Sequence, residues 1–193
     1  NLTTLTDASG RTESYTYDAL GRMTDYTMPG GSKIHYDYDK LNSLIEKSYT
    51  DAEGNPAEEA VRYGYDTAGQ RLSMMDTTGT STYTYDALGR IATVTSGSGK
   101  TVSYAYDETD HLASIDYGDG TSVSYQYDLN GNLTQVTDRN GEITSYEYDA
   151  GNRLVKTVRP NQTETRVTLD ALDQIVLLEN VCPECGDVIS SYA

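Results

Sequence analysis

The sequence has no phenylalanine and no tryptophan, and it holds only two histidines, two cysteines and four prolines. No apolar run approaches the roughly 20 residues that a membrane-spanning helix needs, and no basic segment followed by an apolar one opens the chain. Membrane insertion is therefore not expected. Basic residues are scarce as well: 14 Lys and Arg stand against 30 Asp and Glu, a formal net charge of −16. A surface that binds nucleic acid or anionic lipid needs concentrated Lys and Arg, so neither is expected as a partner. His35 and His111 lie far apart and in no ligand spacing. His-Glu-x-x-His, Gly-x-Ser-x-Gly, a Walker loop and a dinucleotide fingerprint are all missing. Carboxylates are so abundant that some pair will lie at a glycosidase-like separation by chance, which gives that reading no weight. Neither an enzyme nor a cofactor is expected.

What the chain does have is tyrosine. Eighteen residues are Tyr, and 14 of them fall in seven copies of Tyr-x-Tyr-Asp. The copies are Tyr15/Tyr17/Asp18, Tyr36/Tyr38/Asp39, Tyr63/Tyr65/Asp66, Tyr83/Tyr85/Asp86, Tyr104/Tyr106/Asp107, Tyr125/Tyr127/Asp128 and Tyr146/Tyr148/Asp149. Val167-Thr168-Leu169-Asp170 is an eighth, degenerate copy, and successive Asp residues lie 21, 27, 20, 21, 21, 21 and 21 positions apart. Three copies continue as x-x-Gly-Arg or x-x-Gly-Asn and then an apolar residue, as in Ala19-Leu20-Gly21-Arg22-Met23. A second Gly-bearing turn follows, as in Asp138-Arg139-Asn140-Gly141. A fixed period of this kind marks a repeat architecture.

Each half-repeat alternates in the manner of a half-buried strand, for example Val123-Ser124-Tyr125-Gln126-Tyr127. Tyr and β-branched residues suit a pleated surface. The Asp can bind backbone N–H groups two residues on, and the Gly can take the positive φ that closes the turn. The fold class predicted is all-β: tandem repeats of about 21 residues, each a hairpin, joined in one curved antiparallel sheet. One face carries Tyr rungs and the other small polar residues such as Thr82/Thr84, Ser103/Ala105, Ser124/Gln126 and Ser145/Glu147. Tyr tolerates a half-wet surface, so a thin single sheet fits better than a dry sandwich, which would favour Phe, Ile and Leu. The repeat array is assigned to residues 1–178, its first copy truncated, with 179–193 a divergent tail. Asp51 to Glu59 reads as an acidic loop inserted at a hairpin tip, which loops absorb cheaply. An array that begins mid-repeat suggests a piece of a longer one, whose edge strands invite pairing with another chain.

The Tyr-x-Tyr-Asp-x-x-Gly-Arg/Asn-Leu pattern resembles YD repeats, the unit of the Rhs (rearrangement hot spot) family. The resemblance covers residues 1 to about 178. It departs where Asn42, Asp110 and Asp173 replace the usual turn Gly and where Val167 and Leu169 replace Tyr. It implies a β-ribbon coiled into a hollow shell, which encloses a C-terminal toxin in bacterial Rhs and insecticidal toxin-complex proteins and serves adhesion in teneurins. The leading expectation is thus a non-catalytic wall in a secreted or surface bacterial protein. Its partners would be the remainder of the parent chain and its toxin cargo. The alternative is an adhesion or carbohydrate-binding module, with Tyr faces stacking on glycans or a surface receptor. No Asp-Pro-x-Gly stretch resembles the family's self-cleaving region, so self-cleavage is not expected here. In the tail, Cys182-Pro183-Glu184-Cys185 supplies two thiols. They read as half of a zinc site completed elsewhere, as a local disulfide, or as free thiols. Asn1, Asn132 and Asn161 each open an Asn-x-Thr pattern that a Thr-rich repeat generates easily.

Overall fold

Alternating Tyr, Val, Ile and Thr separated by Asp- and Gly-bearing turns leaves little choice but short antiparallel strands, and strands are what form. The computed structural model describes residues 1–182 and 187–192. The described residues contain no helix, and the chain divides into two units, Asn1–Thr101 and Val102–Ala193.

The first unit holds β1 (Thr4–Thr6), β2 (Thr12–Tyr17), β3 (Met23–Thr27), β4 (Lys33–Tyr38) and β5 (Leu44–Thr50). It continues with β6 (Pro56–Tyr65), β7 (Arg71–Asp76), β8 (Gly79–Tyr85) and β9 (Ile91–Thr95). Each strand pairs antiparallel with the next. The second unit opens with β10 (Thr101–Tyr106), whose first residue falls at the division, then β11 (Leu112–Asp116), β12 (Ser122–Tyr127) and β13 (Leu133–Thr137). It ends with β14 (Ile143–Tyr148), β15 (Leu154–Val158), β16 (Glu164–Leu169), β17 (Ile175–Cys182) and β18 (Asp187–Tyr192). These too form an antiparallel meander. Residues 179–182 complete β17, and 187–192 form β18 against it, so the stretch assigned to a tail contributes to this meander. The half-site proposed for Cys182 and Cys185 depends on Cys185, which lies outside the described residues.

Two kinds of hairpin alternate. At each Tyr-Asp hairpin the register shifts at the second Tyr position: Thr16 faces Asp25 but Tyr17 faces Met23, leaving Thr24 as an extra residue on the returning strand. The same bulge recurs at Tyr38, Tyr65, Tyr85, Tyr106, Tyr127, Tyr148 and Leu169. A bulge adds local twist and re-aims the side chain beside it. Most of the other hairpins close through three-residue loops with Gly at positive φ, as at Gly10, Gly31, Gly99 and Gly141.

Within each unit one face is aromatic and apolar: Tyr26 faces both Tyr15 and Ile34, and Ile115 faces both Tyr104 and Val123. The opposite face is polar, with Thr82 facing Thr95, Gln126 facing Gln135 and Glu147 facing Lys156. Among the described residues only chain-neighbouring strands touch, and no second layer of them covers either face of a unit. No hydrophobic residue is buried among the described residues, and the one buried residue is Glu164, ion-paired to Lys156 and Arg166. The sheet is held by its hydrogen bonds and half-buried cross-strand pairs, each pair contributing about 0.2–1 kcal/mol.

Two turns of the first unit meet backbone to backbone. A Cβ on Gly97 would stand 2.5 Å from the Thr78 carbonyl oxygen and 2.8 Å from Gly79. That oxygen belongs to the main chain and cannot swing away. Gly97→Ala is expected to cost about 1–3 kcal/mol, the usual range for overpacking, measured as a lower urea midpoint.

Candidate functional site: the tyrosine–aspartate turn

Every motif Asp closes the turn that follows it. Oδ1 of Asp18 accepts from the amides of Leu20 at 2.9 Å and Arg22 at 3.0 Å. The Asp18 amide donates to the Arg22 carbonyl and the Gly21 amide donates to the Asp18 carbonyl. The same pair of amides, two and four residues on, binds Oδ1 of Asp39, Asp66, Asp86, Asp107, Asp128, Asp149 and Asp170. Where the fifth residue is Arg, its guanidinium also grips Oδ2: Arg22 on Asp18, Arg90 on Asp86 and Arg153 on Asp149.

These bonds favour the ionised carboxylate. The Asn132 amide and then the backbone hold Asp128 below the ordinary carboxylate range, and the Arg153 guanidinium does so for Asp149. At Asp18, Asp86 and Asp107 partial burial pulls upward, yet the hydrogen bonds together outweigh it and the pKa is lowered. Asp7 uses the same device in another turn, where Ser9 and Arg11 bring it to about 2.

The two tyrosines of a motif have different partners. The first faces an apolar or aromatic residue on the next strand in several copies: Tyr15 stacks on Tyr26 with centroids 5.2 Å apart, Tyr63 faces Met74, and Tyr125 faces Val136. The Tyr15 hydroxyl donates to Glu13, whose carboxylate pushes the phenol up to about 12. The second tyrosine reaches back one hairpin. Its hydroxyl donates to the main-chain carbonyl five places after the preceding motif Asp. The bonds are Tyr38 to Met23, Tyr65 to Leu44, Tyr85 to Arg71 and Tyr148 to Leu133 at 2.9 Å, and Tyr127 to Leu112 at 3.0 Å. Tyr17 makes the equivalent bond to Leu2 at 2.8 Å. Each bond bridges the open end of the intervening hairpin and joins one motif turn to the next.

The degenerate copy tests this geometry. Leu169 occupies the second-tyrosine position, and the matching carbonyl is that of Leu154. Leu169→Tyr is expected to stabilise the chain by about 0.5–1.5 kcal/mol, the net value of one hydrogen bond, seen as a higher urea midpoint.

The structure brings the motif residues together as turn and stitch, and no motif carboxylate faces a second motif carboxylate across the hydrogen bonds described. The histidines stand apart. His35 Nδ1 lies 2.9 Å from Asp25 and its Nε2 3.4 Å from Asp37, and the Asp25 bond first, then Asp37, raises its pKa. His111, in the other unit, stacks on Tyr127 at 4.5 Å. Among the described residues no group of three or more His, Cys, Asp or Glu is placed to hold a metal ion. Sequence reasoning missed a further set, the side chains that pass between successive turns: Arg22 to Asn42, Gln70 to the Gly89 carbonyl, Asn132 to Asn152 and Arg153 to Asp173. Their only signal is a polar residue recurring four places after the motif Asp.

The repeat period and turn geometry agree with what comparison finds. The RHS Repeat family model matches residues 1–33 and 127–164, and the Teneurin YD-shell model matches 44–137. The chain belongs to the YD-repeat (Rhs) family. Among solved structures, that of TcdB2-TccC3-Cdc42 superposes with a TM-score of 0.79 at 14% identity, covering 98% of this chain and 11% of that one. The structure of TcdB2-TccC3 gives a TM-score of 0.54 at 18% identity, covering 93% of this chain and 12% of that one. At such identities the likeness establishes the fold, and the chain spans only about an eighth or less of those solved chains. No curated protein matches the sequence. YD repeats of this kind are structural shell units, and the chain's architecture is that of such a unit.

Proposed function

We propose that this chain is a stretch of wall in a secreted or surface-delivered bacterial shell that encloses a C-terminal toxin and carries it to its target. The observation that supports this reading is how the motif side chains are used. The aspartates hold their own turns, the second tyrosines bond the neighbouring hairpin, and no hydrophobic residue of the described sheet is buried. Such a sheet separates two spaces without a core of its own. None of its residues makes or breaks bonds in this reading, and its partners are the rest of the parent chain and the cargo. The family resemblance supplies the toxin, as bacterial YD-repeat proteins imply one.

Limited proteolysis and mass spectrometry of the full-length protein test the proposal. A C-terminal fragment that co-purifies with the repeats and resists protease is the expected result. A C-terminal region that digests as freely as an exposed linker would overturn enclosure. Binding of the intact protein to a glycan array or a cell surface would then favour the adhesion alternative.

A further inference from the structure

The positive-φ position of the motif turn ordinarily calls for glycine, because a Cβ there costs about 1–2 kcal/mol. Gly21, Gly69, Gly89 and Gly131 obey this, but Asn42 (φ 69°), Asp110 (φ 69°), Asn152 (φ 61°) and Asp173 (φ 63°) do not. Asn42, Asn152 and Asp173 share one surrounding. Asn42 Oδ1 accepts from Arg22 Nη1 at 2.9 Å, Asn152 Oδ1 from Asn132 Nδ2 at 2.9 Å, and Asp173 Oδ1 from Arg153 Nη1 at 2.6 Å. Each donor sits four places after the Asp of the preceding motif turn. Arg22 and Arg153 reach past the side chain to the carbonyls of Asp39 and Asp170 as well. Ahead of two turns that keep Gly, the same donor position contacts the main chain: Gln70 donates to the Gly89 carbonyl at 3.0 Å and Asn1 to the Gly21 carbonyl at 3.3 Å. Ahead of Gly131 the position holds His111, and a Cβ on that glycine would lie 3.0 Å from the ring.

We infer that the residue four places after each motif Asp and the residue at the positive-φ position of the next turn form a matched pair that specifies which turn stacks on which. Asn or Asp is used at the strained position where Arg22, Asn132 or Arg153 stands ahead, and the acceptor it presents offsets the backbone cost. Asn42, Asn152 and Asp173 are thus specificity-determining residues for repeat-on-repeat stacking. The pairing stands independently of whether the wall encloses a cargo. It also separates these residues from Gln162 (φ 61°), whose amide reaches the Pro160 carbonyl inside its own turn.

A double-mutant cycle in the full chain tests this, joining Arg153→Ala with Asp173→Gly and reading hydrogen exchange at the Leu172 and Gln174 amides of the β16–β17 turn. We expect a coupling of about two- to fivefold in the local opening constant, the range of an exposed ion pair. Asp173→Asn, which keeps Oδ1 and tolerates positive φ, should retain the coupling, whereas Gln162→Gly should simply slow opening of its own turn. Arg153 also holds Asp149, so a parallel cycle of Asn132→Ala with Asn152→Gly reads the same coupling if the arginine variant loses its turn. Additive cycles at both pairs, with Asp173→Gly and Asn152→Gly slowing exchange as Gln162→Gly does, would overturn the inference.

Discussion

Replacing Tyr17, Tyr38, Tyr65, Tyr85, Tyr127 and Tyr148 together by Phe is expected to abolish cooperative unfolding of the chain. Each substitution removes one oxygen and leaves the ring. Each also strips a main-chain carbonyl of its phenolic donor at the point where two turns are joined. A hydrogen bond of this kind is worth about 0.5–1.5 kcal/mol net, so the set carries about 3–9 kcal/mol. That rivals the whole stability of an ordinary domain, about 5–15 kcal/mol, in a sheet whose described residues include no buried hydrophobic side chain to compensate. The matched control places Phe at first-position tyrosines such as Tyr63 and Tyr125, whose rings pack against Met74 and Val136. That packing survives loss of the hydroxyl, so the control should keep most of its stability. Urea unfolding followed by far-ultraviolet circular dichroism compares the two sets. Equal losses in both would show that the stitch is not what the second tyrosine provides.

The second large effect is of acid. The turn aspartates Asp7, Asp18, Asp51, Asp86, Asp107, Asp128 and Asp149 all have pKa values below the ordinary carboxylate range in the folded chain, Asp7 at about 2. A carboxylate depressed by folding binds protons more weakly in the native than in the unfolded state. Its contribution is fully present above the unfolded value near 3.9 and is lost as pH falls through the folded value. The urea midpoint should therefore hold from about pH 7 to pH 5 and drop steeply from about pH 4 to pH 2. The chain's net charge of −16 argues for the opposite trend, since acid would relieve repulsion. Salt screens exposed charges beyond about 8–10 Å, whereas the turn bonds act at about 3 Å, so the turns should decide the sign. His35 adds a smaller term of the other sense: its raised pKa stabilises below the unfolded value near 6.5 and the benefit fades as pH rises through the folded one. A midpoint that rose on acidification would mean that repulsion governs stability.

Much of this was legible in the residues. Alternation and regular Asp-x-x-Gly punctuation specify hairpins, and the sequence placed Tyr rungs on one face and Thr/Ser on the other, as found. The missing phenylalanine acquires a reason in the hydroxyl bonds of the second tyrosines, a reason invisible without coordinates because the acceptors are main-chain carbonyls. Asn42, Asp110 and Asp173 stood out as departures from glycine, and all three adopt positive φ. Asn152 does the same at the same place in its turn, where the adjacent Gly151 hides the departure, and Gln162 does so in a turn without the motif Asp. The links between turns were hidden because their partners lie 17 to 22 residues apart in sequence. A periodicity argument sees that such residues recur, not that they touch. β18 was hidden for another reason: Val188 to Tyr192 lacks the Tyr-x-Tyr-Asp signature, yet its backbone still completes a ladder with β17.

The central claim is that the Tyr-Asp motif serves the wall itself, and hydrogen exchange of the intact chain at the motif turns addresses it most directly. The amides two and four places after each motif Asp lie in exposed turns where unbonded amides exchange almost freely. If the carboxylates hold them as described, amides such as Leu20, Arg22, Asn130 and Asn132 will be protected at neutral pH and lose that protection together as pH falls toward 2, once the measured rates are corrected for intrinsic exchange. Free exchange of these amides at neutral pH would contradict the account and return the aspartates to the pool of groups available for binding.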